Sequence, residues 1–177
     1  RLKENSRFSR ETHIGMDESE FKHSKGLITK SEIRCIALSK LKLIHNNHVV
    51  WDIGSGSGSI GIEASFQGRV YAIEKHPGRI PDILQNIKSF NCQNVHVLNT
   101  DFPKGIEELN TPDRIFIGGG GKHLEQIIKA SCERLAPLGI IVINTVLLQS
   151  LETALRLLKE YQFDPRIVQI QVSRSIS

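Results

Sequence analysis

Short runs of Val and Ile alternate with longer stretches of helical periodicity along most of this chain. A continuous apolar run is typical of a strand buried on both faces, as in a parallel sheet, whereas a half-exposed strand alternates apolar and polar residues. Strands that alternate with helices build βαβ units, so the pattern predicts a doubly wound, mostly parallel α/β sheet. The predicted strands are 49–53, 70–74, 95–98, 114–117, 140–143 and 166–172, and the predicted helices are 30–41, 60–66, 79–90, 124–135 and 147–161.

The beginning of the chain has two recognisable parts. Residues 1–20 are polar and mixed in charge, which predicts a linker or N-terminal arm ahead of a single domain over 21–177. Thr29 is followed by Glu32 at capping-box spacing, so Thr29 is predicted to be the N-cap of the first helix.

The composition limits the classes of protein to consider. The 177 residues suffice for one domain, and 39% hydrophobic with 24% charged residues is typical of a globular protein. No apolar run reaches the ~20 residues of a membrane span, and no signal-peptide core is visible, so no membrane partner is expected. Three single cysteines and seven scattered histidines predict neither a disulfide framework nor a metal site, and a cytoplasmic location is the simplest interpretation. The net charge of +4 suits a polyanionic substrate, either a nucleic acid or a small molecule rich in carboxylates.

A glycine-rich turn follows the first predicted strand directly. Ligands of open α/β sheets bind beyond the carboxyl ends of the strands, and glycines there permit positive φ and close approach of the backbone to a ligand. Asp52, just before the turn, either holds the ammonium of an amino-acid cofactor or shapes the turn. A dinucleotide fingerprint would need its third glycine at position 59, which is Ser59, so S-adenosylmethionine is the favoured cofactor. The candidate cofactor-binding residues of the turn are Gly54, Ser55, Gly56 and Gly58.

Two acidic residues follow later strands. Glu74 ends the second strand ~20 residues further on, where a carboxylate can accept hydrogen bonds from both ribose hydroxyls of an adenine nucleoside. Asp101 follows the third strand and either faces the adenine amino group or caps a helix after Phe102-Pro103.

Four consecutive glycines, Gly118, Gly119, Gly120 and Gly121, follow the fourth predicted strand. Such a run indicates a backbone conformation or a close approach that side chains would block, although a flexible linker without a chemical role is the alternative. The loop lacks the prolines and the aromatic residue with which many nucleic-acid N-methyltransferases grip a flipped base, so base methylation is disfavoured.

Six stretches carry a resemblance to a known family, and they are 15–21 (GMDESEF), 27–34 (LITKSEIR), 52–64, 71–74 (YAIE), 115–121 (IFIGGGG) and 142–146 (VINTV). In these stretches the chain resembles the cobalt-precorrin/precorrin methyltransferase-decarboxylase family of cobalamin biosynthesis. That family methylates carbon 15 of the corrin macrocycle and decarboxylates the ring C acetate. Gly120 departs from the family's usual Ser, and Leu147 and Gln149 replace its Thr and Glu.

The resemblance implies a class I S-adenosylmethionine-dependent methyltransferase fold with S-adenosylmethionine on the glycine turn. Thr29 would close over this cofactor. The sheet of this class normally has a seventh, antiparallel strand between the fifth and sixth. The sequence shows no such strand, so a C-terminal truncation is expected.

The resemblance also implies a tetrapyrrole substrate, precorrin or cobalt-precorrin, and no nucleic-acid partner. It further implies a homo-oligomer, commonly a tetramer, and an upstream carbon-5 methyltransferase domain in fused members. An RNA or other small-molecule methyltransferase of the same fold is the alternative, and the basic pI near 9.1 favours RNA. The residues expected to meet the substrate are Lys30, Arg34, Gly118, Gly119, Gly120, Gly121, Lys122 and Asn144.

Overall fold

The computed structural model describes residues 12–24, 26–44 and 48–175. Five parallel strands form one sheet in the order β3-β2-β1-β4-β5, which confirms the predicted doubly wound α/β class. The strands are β1 (His48–Ile53), β2 (Gly68–Glu74), β3 (Val95–Asn99), β4 (Arg114–Ile117) and β5 (Ile140–Ile143). The helices are α1 (Ser31–Leu41), α2 (Ser59–Ala64), α3 (Ile80–Ser89), α4 (Leu124–Arg134) and α5 (Leu148–Glu160).

The central strands are buried on both faces of the sheet. In β1, Val50 belongs to the apolar cluster formed with α1, α2 and α3, and the next residue, Trp51, belongs to the cluster formed with α4 and α5. The same alternation places Phe116 of β4 in the first cluster and its neighbours Ile115 and Ile117 in the second. Successive side chains of a strand point to opposite faces, so a continuous apolar run fills both layers at once.

The predicted sixth strand over 166–172 is wrong. Residues 163–175 contain neither helix nor strand, and among the described residues β5 pairs with β4 alone. Apolar residues do not make a strand by themselves, because the extended backbone must also pair its N–H and C=O groups with a neighbouring strand. Ile167 and Val168 of this segment are exposed.

The boundary predicted at residue 20 falls inside a packed segment. The side chain of Met16 is fully buried, and the N–H groups of Gly15 and Met16 donate to the Glu63 carboxylate of α2 at 2.8 and 3.1 Å. The segment therefore packs on the domain before residue 20, and the predicted arm over residues 1–11 lies outside the described residues. Within the described ranges, no helix has the length and apolarity needed to cross a membrane.

Candidate functional site

A crevice of about 260 Å³ opens at the carboxyl ends of β1 to β4. The strand order reverses at β1, since β2 lies on one side of it and β4 on the other. In open α/β sheets this switch point is where ligands bind, and small-molecule pockets of roughly 300 Å³ and upward are typical. The crevice is lined by Ile53, Gly54, Ile73, Glu74, Lys75, His76, Arg79, Thr100, Asp101, Phe102, Gly118, Gly119, Gly120, Gly121, Lys122, His123 and Ile127.

The glycine turn between β1 and α2 depends on left-handed backbone. Gly54, Gly56 and Gly58 have φ of +76°, +63° and +80°, a region that residues with a Cβ rarely adopt. A Cβ on Gly58 would also lie 3.0 Å from the Ile83 side chain of α3. Of these three predicted residues, Gly54 lines the crevice, whereas the other two shape the turn behind it.

The hydrogen bonds of Asp52 stabilise the turn, in line with the second of the two roles predicted for it, and its contact with a cofactor ammonium stays a prediction. Its side chain is buried, and Oδ2 accepts hydrogen bonds from Ser55 Oγ at 2.6 Å and from the N–H of Gly61 at 3.1 Å. Neither Asp52 nor Ser55 lines the crevice. Burial raises the pKa of Asp52 from its ordinary value of 3.8 to about 6, and these two hydrogen bonds offset only part of that effect.

Glu74 at the end of β2 is held in place by backbone donors. Its Oε2 accepts the N–H of Gly56 at 2.9 Å, and its Oε1 accepts the N–H of His76 at 2.8 Å. Arg79 Nη1 lies 3.4 and 3.5 Å from the two oxygens, longer than the about 2.7–2.9 Å of a strong charge-assisted bond. A carboxylate offers about four acceptor positions, so Glu74 retains capacity for a ligand in the crevice that it lines.

The four-glycine loop after β4 forms the opposite wall. The N–H of Gly118 donates to the Ile53 carbonyl at 2.9 Å, and a Cβ on Gly118 would lie 3.2 Å from the Gly54 carbonyl oxygen. A Cβ on Gly120 would lie 2.7 Å from Leu124 Cα. These close approaches explain the need for glycine at both positions and argue against the alternative of a linker without a role.

Asp101 lines the crevice as predicted. No helix follows Phe102-Pro103, because residues 100–113 form turns and loops, so the alternative that Asp101 caps a helix is wrong. Lys122 also lines the crevice as predicted, in a short 3₁₀ turn, Gly121–His123, that leads into α4.

Sequence reasoning missed several lysine, arginine and histidine residues of the crevice. Lys75, His76 and Arg79 line it on the β2 side, and His123 lines it beside Lys122. A usable signal existed for the first two, since they directly follow Glu74 at the carboxyl end of a strand. Arg79 and His123 each lie directly before a helix, α3 and α4, and only the fold reveals that they line the crevice.

Arg34 is not available to a substrate, so its predicted role is wrong. Its side chain is fully buried in α1, where Nε lies 2.6 Å from Glu63 Oε1. The guanidinium also donates to the backbone carbonyls of Thr29 and Met16. The local sequence of the first predicted helix gave no indication that this arginine would be paired inside the core.

Thr29 is not the N-cap of α1, because the helix begins one residue later than predicted and Lys30 occupies that position without a side-chain capping bond. Glu18 caps the helix instead, accepting the N–H of Ser31 at 2.6 Å. Lys30 lies 3.9 Å from Glu18 with its side chain 58% exposed. Thr29, Lys30 and Asn144 do not line the crevice as the structure describes it, and their ligand contacts stay predictions.

Comparisons with known proteins agree with this geometry. A family model described as a precorrin methyltransferase domain matches residues 19–177. A probable cobalt-precorrin-6B C(15)-methyltransferase (decarboxylating) from Pyrobaculum calidifontis is 37% identical over 166 residues, covering 90% of this chain and 84% of that protein.

Two solved structures are similar throughout most of the chain. Precorrin-6y C5,15-methyltransferase from Geobacter metallireducens aligns with a TM-score of 0.82 and 43% identity, covering 86% of this chain and 82% of the other. Precorrin 8W decarboxylase from Methanobacterium thermoautotrophicum aligns with a TM-score of 0.84 and 26% identity, covering 90% and 87%. The chain therefore belongs to the precorrin methyltransferase family.

Proposed function

We propose that this chain uses S-adenosylmethionine to methylate carbon 15 of a corrin precursor and decarboxylates the ring C acetate, in cobalamin biosynthesis. The observation that carries the proposal is a crevice lined by Glu74, by Gly54 of the glycine turn and by the four-glycine loop, in a chain of the precorrin methyltransferase family. Relatives at 37% and 36% identity bear the name of that decarboxylating methyltransferase, which supports the same reaction here.

The residues of the crevice fit an adenine nucleoside cofactor. Glu74, oriented by two backbone N–H groups, would accept hydrogen bonds from the ribose hydroxyls. Asp101 would face the adenine amino group, and Gly54 would let the backbone approach the amino-acid portion. Bound S-adenosylmethionine supplies a methyl group that is already activated on a sulfonium, so transfer needs in-line positioning more than acid–base assistance.

The wall formed after β4 would hold the substrate. Lys122 and His123 lie on this wall, and a lysine ammonium binds carboxylates through charge-assisted hydrogen bonds. The glycines before them keep the wall flat enough for a wide planar ring to approach, since Cβ atoms at Gly119 and Gly121 would project into open space. For decarboxylation, carbon dioxide would leave and the conjugated ring of the substrate would accept the electron pair of the broken C–C bond. A proton would then add to the side-chain carbon, and the chain would contribute orientation and electrostatics.

The decisive experiment is incubation of the protein with S-adenosylmethionine and a late precorrin or cobalt-precorrin, followed by mass spectrometry. We expect the product to gain one methyl group and lose one carbon dioxide. Glu74→Ala serves as the comparison, since loss of the ribose acceptor should lower turnover at limiting cofactor. Methyl transfer to RNA with an unchanged tetrapyrrole would refute the proposal and favour the alternative predicted from the basic pI.

Three expectations from the family resemblance stay predictions, namely the tetramer, the fused carbon-5 methyltransferase domain and the cytoplasmic location. Light scattering coupled to size-exclusion chromatography measures the first directly. Parallel assays with precorrin and cobalt-precorrin would establish whether the substrate carries cobalt.

A further inference from the structure

Ahead of α1, a segment of the chain wraps along the helices that follow the glycine turn, and we call residues 15–24 the strap. Its first residues bond to Glu63 of α2, as described above. Phe21 is buried against Phe90 just after α3, with ring centroids 5.1 Å apart. Ser24 Oγ donates to Asp82 Oδ2 of α3 at 2.5 Å. The strap is therefore fastened to two helices, and α2 begins directly after the glycine turn.

Asn86 of α3 contacts the strap and the glycine turn with the same side chain. Its Oδ1 accepts the N–H of Lys22 at 2.7 Å. Its Nδ2 donates to the carbonyl of Lys22 at 2.8 Å and to the carbonyl of Ser57 at 2.8 Å. The side chain of Asn86 is only 1% exposed, and its bond to the Ser57 carbonyl is fully buried, whereas its two bonds to the backbone of Lys22 are partly buried.

This arrangement is specific to an amide. One neighbour is a backbone N–H, which requires an acceptor, and two neighbours are carbonyls, which require donors. Asparagine supplies one acceptor and two N–H donors, and each of the three is used. A buried helix residue that needed only packing would be apolar, because a buried polar group is stabilising only when it is hydrogen-bonded.

Ser57 lies between the two glycines on which the geometry of the turn depends. Gly58 follows it with φ of +80°, and Gly56 precedes it and donates its N–H to Glu74. Glycines have no Cβ to restrict their backbone, so a bond to the intervening carbonyl limits the orientations that this turn can adopt. Asn86 supplies that bond from outside the crevice.

We propose that Asn86 is a positioning residue, which sets the glycine turn for the cofactor and couples that turn to the strap. The proposal rests on the proposed cofactor site and deepens it. Asn86 touches no ligand, and it acts through the peptide that follows Ser57 and through the neighbouring N–H of Gly56 on Glu74. No other described side chain donates to both the strap and the turn.

The test is Asn86→Asp, with Asn94→Asp as the matched control. Asn86→Asp has the same shape and keeps the acceptor for Lys22, but it removes both donors and brings a carboxylate against two carbonyl oxygens. Asn94 likewise donates Nδ2 to two carbonyls, those of Ser65 and Gly68, but at the amino end of β2 and away from the crevice. Both substitutions therefore remove a side-chain amide that donates to two backbone carbonyls, and only Asn86 donates to the glycine turn.

Binding of S-adenosylhomocysteine is measured by calorimetry on folded protein, together with thermal unfolding of each variant. We expect Asn86→Asp to weaken this affinity about tenfold and to raise the KM for S-adenosylmethionine more than it lowers kcat. Asn94→Asp should lower the melting temperature without changing the affinity. If Asn86→Asp does not fold, Asn86→Ser, which adds no charge, replaces it in the same comparison.

Two outcomes would overturn the role of Asn86. One is unchanged affinity in the folded Asn86 variant, and the other is an equal loss of affinity in the Asn94 variant. If the unsubstituted protein itself binds no S-adenosylhomocysteine, the cofactor assignment fails first and this role fails with it. Binding by the unsubstituted protein with no effect of Asn86→Asp would refute the positioning role alone.

Discussion

Asp52 is a buried carboxylate with one oxygen bonded to Ser55 and Gly61, while the other, Oδ1, has no hydrogen-bond partner within the described part of the chain. Burial is the main cause of its raised pKa of about 6, and the nearby charge of Glu74 adds to it. The folded protein therefore binds this proton more tightly than the unfolded chain does, whose ordinary value is 3.8. The stability that the protonated carboxyl group contributes is fully present below pH 3.8 and is lost as the pH rises through the folded-state pKa of about 6.

Asp52→Asn should remove this pH dependence. The amide oxygen can replace Oδ2 as acceptor, and no charge has to be buried at neutral pH. We expect the melting temperature of the variant, relative to the unsubstituted protein, to be higher at pH 7.5 than at pH 5. A constant difference between the two proteins across this range would contradict the raised pKa of Asp52.

Arg34 and Glu63 form a fully buried ion pair, which makes the arginine a stability determinant. Removal of one partner leaves an uncompensated buried charge, for which about 3–5 kcal/mol is typical. Arg34→Met should therefore lower the free energy of unfolding by about 3 kcal/mol in urea titrations. Arg34→Met combined with Glu63→Gln should recover part of that loss, and a full loss in the double variant would show that packing dominates.

Among the elements, the short turn Gly121–His123 places Lys122 on the wall of the crevice that follows β4, where we propose that the substrate binds. Lys122→Ala should raise the KM for the tetrapyrrole about tenfold, or about 1.4 kcal/mol, because a charge-assisted bond to a carboxylate is lost. The matched control is Lys129→Ala on α4, where the lysine is exposed and pairs with Glu125 at 2.9 Å. Steady-state kinetics that give equal KM changes for both variants would remove Lys122 from the substrate site.

The C-terminal segment 163–175 is anchored by Arg174 rather than by strand pairing. Its guanidinium donates to both carboxylate oxygens of Glu18 at 2.8 and 3.0 Å and to those of Glu32 at 2.8 and 2.6 Å. Hydrogen bonds from Arg174 lower the pKa of Glu18 and of Glu32 to about 2. Because these pKa values are lowered on folding, the ion pairs of Arg174 with Glu18 and Glu32 stabilise the fold above pH 4.5, the ordinary pKa of the group. This stabilisation is lost as the pH falls towards 2.

Arg174→Ala should release this segment and raise the pKa of both carboxyl groups towards the ordinary value, because the largest cause of their lowered pKa is lost. We expect faster amide hydrogen exchange in residues 163–175 at neutral pH, together with higher pKa values for Glu18 and Glu32 in NMR titrations. Unchanged exchange and unchanged titration would show that other contacts hold the segment.

In the whole molecule, the two layers of helices shield the backbone amides of the central strands from solvent more than those of the outer strands. β1 has a hydrogen-bonded strand on each side, whereas β3 and β5 lie at the ends of the five-stranded order. Amide exchange should therefore be slowest in β1 and faster in β5, whose residues are all partly exposed. Mass spectrometry of exchanged peptides measures this order, and slower exchange in β5 would mean that its edge is covered in solution.

Features that depend on neighbouring residues could be predicted from the sequence, whereas features that depend on contacts between residues distant in sequence could not. Hydrophobic periodicity and position after a strand are local properties of the sequence, so the five strands and the helices between them could be predicted. For the same reason it could be predicted that one edge of the sheet carries Gly54, Glu74, Asp101 and Lys122. Thr29 illustrates the limit of a local pattern. It has Glu32 at capping-box spacing, yet the N–H at the start of α1 is bonded by Glu18, a residue outside that pattern.

The sequence by itself determined the fold class, the switch point and the position of the acidic and glycine-rich groups at the carboxyl edge of the sheet. Tertiary structure alone decided that Arg34 is paired inside the core, that Asp52 faces the turn and that residues 163–175 form no strand. It also decided that Asn86 joins the strap to the glycine turn. Each of these outcomes depends on a partner distant in sequence or on the absence of one, and burial and pairing of polar groups are settled only when the whole chain has packed.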